Sequence, residues 1–143
     1  MAAISRGIRN QYLRLTPIGG YLIESGGKSG FHCGDSAWFD SFAEICLRHD
    51  NIDVALMPVG TYEDPSGRDV HLNPEEAVRA FAELGAKVML PILYGTFPLG
   101  NEPIREPIER LLMEADRLSI SDRILIPEEG VGIEWWSDAG VVR

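Results

Sequence analysis

The sequence predicts an α/β fold, a sheet with helices on one or both of its faces. Three observations predict it. Short apolar runs alternate with segments of helical periodicity, in the order hairpin, helix, strand, helix, strand, helix, strand. Each run stops at glycine, proline or polar residues, so each strand feeds a loop. The chain has 143 residues, 45% of them hydrophobic and 24% charged, which suits one soluble globular core.

Residues 1–11 are polar and unpatterned and read as a lead-in. Tyr12 to Leu15 forms a short apolar run closed by Thr16-Pro17. Tyr21 to Glu24 and Ser29 to Cys33 flank Gly26-Gly27, the pattern of a β-hairpin. From Ala37 to Arg48, Phe39, Phe42, Ala43, Cys46 and Leu47 recur at helical spacing, with Ser36 as the expected N-cap. Ile52 to Met57 is an apolar strand that ends at Pro58. A long loop, Gly60 to Leu72, follows. Asn73, Pro74 and Glu76 then occupy the N-cap, N1 and N3 positions of a capping box, and the helix runs to Leu84 before Gly85. Lys87 to Leu93 is the next strand, and Pro91 assigns it to a sheet edge or a strand end. Ile108 to Leu118 is the last helix, with Ile108, Leu111, Leu112 and Ala115 inward. Ile124 to Ile126 and Val131 to Trp136 are candidate final strands.

Charge narrows the partners. A net charge of −9 disfavours duplex nucleic acid and anionic membrane. The N-terminal stretch has no apolar signal region and no run reaches spanning length, so a cytoplasmic protein is expected. Cys33 and Cys46 form neither a CxxC pair nor a zinc-finger spacing and read as buried thiols.

Three strand ends carry chemistry-bearing residues: Gly34-Asp35, the Gly60–His71 loop with Tyr62, and Tyr94-Gly95-Thr96. If the strands are neighbours, Asp35 and His71 meet at one edge of the sheet. An Asp with a His is part of a zinc, iron or manganese ligand set, or half of an acid–base pair. Each residue also has a structural alternative. Asp35 stands where a helix cap would, His71 where a loop hydrogen bond would serve, and Tyr62 and Thr96 where loops are anchored. His32 alternates along a strand and His49 closes a helix, both structural positions. No GxSxG, Walker loop, GxGxxG or HExxH is present.

Three segments together resemble one family. They are Phe31-His32-Cys33-Gly34-Asp35-Ser36, then Met57 to Glu63, then His71-Leu72-Asn73-Pro74-Glu75-Glu76-Ala77-Val78 followed by Gly95-Thr96-Phe97-Pro98-Leu99. Their order and spacing resemble the C-terminal half of the metallo-β-lactamase-fold hydrolases, in the branch of N-acyl phosphatidylethanolamine-hydrolysing phospholipase D and its lactonase-like relatives. The resemblance covers roughly residues 9 to 118. It implies half of an αββα sandwich, a two-metal site at one edge, and a metal-dependent hydrolase acting on phosphodiesters, esters or lactones. Asp35 falls on the position of the metal-bridging Asp, His71 on a catalytic histidine near the substrate, and Tyr62 and Thr96 on the lining of the substrate cleft. Zinc or another divalent metal is the implied cofactor, and a lipid or phosphorylated small molecule the implied substrate.

The departures carry as much weight. The His-x-His-x-Asp-His motif of the family is absent, and Leu93 stands where its last histidine ligand would. Leucine binds no such cation. The expectation is therefore one partial metallo-β-lactamase-like domain over residues 1–143, inactive as an isolated chain. A half-sandwich leaves an apolar sheet face open, so self-association or a separate N-terminal half is the expected partner. The alternatives are a non-catalytic interaction module or a gene fragment.

Overall fold

A two-residue Gly26-Gly27 loop, with φ of 57° and 74°, turns the chain back on itself. Both angles lie in the left-handed region that a tight hairpin turn needs and that glycine adopts freely. The computed structural model describes residues 19–49, 51–67, 69–128 and 130–132. The lead-in, the run from Tyr12 to Leu15 and most of the run ending at Trp136 lie outside the described residues.

The hairpin strands are β1 (Tyr21–Ser25) and β2 (Lys28–His32). After helix α1 (Phe42–Arg48) comes β3 (Val54–Pro58), and after α2 (Pro74–Leu84) comes β4 (Val88–Ile92). Helix α3 (Glu106–Arg117) follows, and a single 3-10 turn spans Ser121–Arg123. The four strands form one sheet in the order β1-β2-β3-β4, antiparallel across the hairpin and parallel from β2 to β4. Two helical crossovers joining adjacent parallel strands are the α/β arrangement that the alternating pattern predicts.

The register sorts the side chains. Leu22, Phe31, Ala55 and Met89 pair across the four strands in one row. They share a core with Phe42 and Ile45 of α1, Ala77, Val78, Phe81 and Leu84 of α2, and Leu111 of α3. The next row, Ile23, Gly30, Val54 and Val88, belongs to the other face by the two-residue period of a strand. So does the row of Tyr21, His32, Leu56 and Leu90. On that face Tyr21 is 59% exposed and Ile23 64%.

Several boundaries differ from expectation. Helix α1 begins at Phe42 with Ser41 as its cap, five residues later than expected. Ser36 is no N-cap: its hydroxyl contacts the Cys33 thiol at 2.9 Å, and its carbonyl accepts the Leu72 N–H at 2.9 Å. Trp38 and Phe39 stack against Phe42 at 5.6 and 4.0 Å between ring centroids, which holds residues 37–41 as an irregular aromatic lead-in. The short helix buries Phe42 and Ile45, while Ala43 is exposed and Leu47 is 86% exposed, against the expected face. Helix α3 starts at Glu106, since Pro107 is tolerated in a first turn, and Leu112 faces outward. Ile124 makes one parallel bridge to Met89, and Leu125 N–H donates to the Met89 carbonyl at 2.9 Å, so the expected strand at 124–126 is a single rung.

Candidate functional site

Strands β2, β3 and β4 run parallel, so their C-terminal ends release three loops at one edge of the sheet. The first loop bends at Gly34. Its N–H donates to His32 Nδ1 at 2.9 Å, which makes His32 a structural residue of the turn. Burial pushes the Cys33 thiol up to about 11, partly offset by its bond to Ser36. Asp35 lies exposed at the outside of this turn.

The second loop leaves β3 through Gly60. A side chain at Gly60 would collide with the Leu93 carbonyl, so this loop and the one leaving β4 meet backbone to backbone. Tyr62 is 2% exposed, and its hydroxyl donates to Glu106 Oε1 at 2.9 Å. Burial, then the bond to Glu106, pushes the phenol far above its ordinary range. The Arg110 guanidinium lies 4.9 Å from the Tyr62 ring centroid and pairs with Glu75 at 2.7 Å and Glu106 at 3.1 Å. Tyr62 is therefore an anchor between the second loop and α3, with its phenol engaged inside the fold.

His71 ends the same loop. It is 9% exposed, its N–H donates to the Gly67 carbonyl at 3.2 Å, and its Nδ1 is buried with no hydrogen-bond partner. The bond from Leu72 N–H to the Ser36 carbonyl joins the residue after His71 to the residue after Asp35. The structure thus brings the Asp35 and His71 segments together. The third loop begins at Leu93, whose φ is 61°, a left-handed conformation that a bulky side chain adopts at a cost. Thr96 is exposed and lines a small cavity of ≈ 250 Å³ with Thr61 and Leu93. A wider cleft of ≈ 830 Å³ opens beside it, walled by Leu93, Ile104, Ile108, Ile126 and Val131.

The described residues do not fit the two-metal centre that the resemblance implies. Among the described residues, no three His, Cys, Asp or Glu side chains group to hold a metal ion. Asp35 and His71 are two donors, Leu93 is not one, and His71 Nδ1 is left without a partner. Glu102, Glu106 and Arg110 carry no signal in the sequence, where their loop and helix positions look like ordinary solvated charge. Their partners lie 35 to 44 residues away.

This α/β layer is also found in solved metallo-β-lactamase-fold proteins. A metallo hydrolase from Ignicoccus hospitalis superposes with a TM-score of 0.57 at 24% identity, over 78% of this chain and 43% of that one. A metallo-β-lactamase fold protein from Bacillus subtilis does so with a TM-score of 0.52 at 23% identity, over 77% and 41%. At these identities the likeness is one of fold. The chain matches the beta-lactamase superfamily domain over residues 3–92 and belongs to that family. It is 34% identical to the mitochondrial N-acyl-phosphatidylethanolamine-hydrolyzing phospholipase D of Saccharomyces cerevisiae, over 76% of this chain and 24% of that protein. It is 33% identical to a UPF0173 metal-dependent hydrolase of Thermus thermophilus, over 77% and 43%. The chain thus spans less than half the length of these relatives. Among the described residues, no helix is long and apolar enough to cross a membrane.

Proposed function

We propose that this chain carries one side of a metal-dependent hydrolase site, corresponding to the C-terminal half of its relatives, and that residues outside this stretch complete it. Asp35 supplies a carboxylate for the metals, and His71 is the catalytic residue on the substrate side. Thr96 lines the cleft, and Tyr62 holds the cleft loop to α3. The substrate class is a phosphodiester or ester, as the phospholipase relative suggests. One observation carries the reading: His71 Nδ1 is buried without a partner, and the next residue, Leu72, donates its N–H to the carbonyl of Ser36, which follows Asp35. A buried polar atom left unsatisfied costs about 1–3 kcal/mol and calls for an explanation, a catalytic role or a bound water or ion among them.

The test is turnover of a chromogenic phosphodiester and a chromogenic ester by the 143-residue chain with zinc or manganese added. The expected result is no rate above buffer. Turnover that is removed by a chelator and by Asp35→Asn would show that the chain carries a complete site.

Leu93 favours a second reading, a non-catalytic module that keeps the scaffold. Leu93→His separates the two. If a completing chain restores turnover only with the histidine, the module reading stands; restoration with the native leucine rules it out.

A further inference from the structure

Two backbone N–H groups leaving β3 converge on one side chain from a distant loop. Thr61 N–H donates to Glu102 Oε1 at 2.5 Å, and Glu63 N–H to Glu102 Oε2 at 3.2 Å. Glu102 lies between β4 and α3, 41 and 39 residues further along the chain. Thr61 has a φ of 62°, left-handed and unfavourable for a β-branched residue. A left-handed residue in a turn aims nearby N–H groups to one side and forms a concavity that receives an anion. The Glu102 carboxylate lies against Gly100, so a side chain there would have to displace it.

We propose that Glu102 is a positioning residue for this edge of the sheet, its carboxylate acting as the resident anion of the Thr61–Glu63 cradle. Each carboxylate oxygen takes one N–H, so the cradle is read by both oxygens together. The strained Thr61 conformation is held by this pairing and by the hydroxyl of Thr61 donating to the Gly60 carbonyl at 2.6 Å. The loop of Leu93 and Thr96 is thereby fixed against the loop of Tyr62 and His71. A plain tether between loops would need neither the second oxygen nor the negative charge. The importance of what is positioned rests on the site reading above, but the cradle itself does not.

The experiment is amide NMR on the full ¹⁵N-labelled chain as wild type, Glu102→Ala and Glu102→Gln, with sodium formate titrated against sodium chloride at matched ionic strength. In Glu102→Ala the Thr61 and Glu63 amide protons should move upfield. Formate should return them toward their wild-type positions saturably, and chloride should not. In Glu102→Gln one amide should stay near its wild-type position and the other should move, with no rescue by formate because the carboxamide fills the cradle. A folded Glu102→Ala chain whose two amides ignore formate would overturn the proposal. If Glu102→Ala does not fold, Glu102→Gln decides: both amides unmoved would overturn it, and one moved supports it. The readout needs neither metal nor turnover, so its failure leaves the proposed hydrolase site standing.

Discussion

At the scale of single residues, the candidate site depends on close approach. Gly60 sits against the Leu93 carbonyl with no room for a Cβ. Gly60→Ala should therefore cost roughly 1–3 kcal/mol, the range for forcing an added carbon into a packed place. A lowered midpoint in urea, with unchanged slope, is the expected readout; an unchanged midpoint would show that the two loops separate easily. The two thiols give a second residue-scale prediction. Cys33 is buried and its thiol is pushed up to about 11, while Cys46 is half-buried. Iodoacetamide at mildly alkaline pH should label Cys46 first and reach Cys33 only as the chain unfolds. Equal labelling rates in the native protein would contradict the placement of Cys33. Asp35, His71, Tyr62 and Thr96 were legible as strand-end residues, because the short apolar runs mark where strands stop. What each one does there was not. The unpartnered Nδ1 of His71, the engaged phenol of Tyr62 and the cradle filled by Glu102 all arise from contacts between distant loops, which local pattern does not encode.

At the scale of elements, helix α2 was legible to the residue because its ends are coded locally. Asn73 Oδ1 accepts from Glu76 N–H at 2.8 Å, Glu76 Oε2 accepts from Asn73 N–H at 3.2 Å, and Gly85 closes the helix at a φ of 65°. Asn73→Ala should destabilise the protein by about 1 kcal/mol, read as a lower thermal midpoint. Helix α1 shows the opposite case. Its aromatic residues fit a helical period from Phe39, but Trp38 and Phe39 pack back on Phe42 and Ser36 serves Leu72. Tertiary contacts thus moved its start. At the other end of β3, burial alone would raise the Asp53 carboxyl, yet the Lys87 ammonium at 2.7 Å and the Ser29 N–H at 2.8 Å outweigh it and hold it below its ordinary value. A carboxyl depressed in the folded state stabilises the fold above its unfolded pKa, and that contribution is lost as pH falls through the folded pKa. Acid titration should lower the unfolding midpoint, and Asp53→Asn should flatten that acidic limb. An identical acid profile in the variant would show that the Asp53–Lys87 pair contributes nothing.

At the scale of the whole molecule, the sheet has one face packed and one bearing exposed apolar residues. The alternation of strands and helices announced the layer, and the chain spans 24% and 43% of the length of two of its relatives. We propose that the chain associates through the face bearing Tyr21 and Ile23, with itself or with a separate N-terminal half. Light scattering behind size exclusion should show a species larger than 15.8 kDa, shifted toward the monomer by Ile23→Lys. A well-folded monomer of the native chain would count against that face as an interface. The central claim, however, concerns the site: among the described residues no three His, Cys, Asp or Glu side chains group to hold a metal ion, so we propose that the metals of the hydrolase site need donors from elsewhere. Its most direct test is the metal content of the purified chain after incubation with zinc, iron or manganese and gel filtration. The expected content is far less than one equivalent of any of them per chain. About one or two tightly held equivalents, the content of a complete catalytic site, would contradict it.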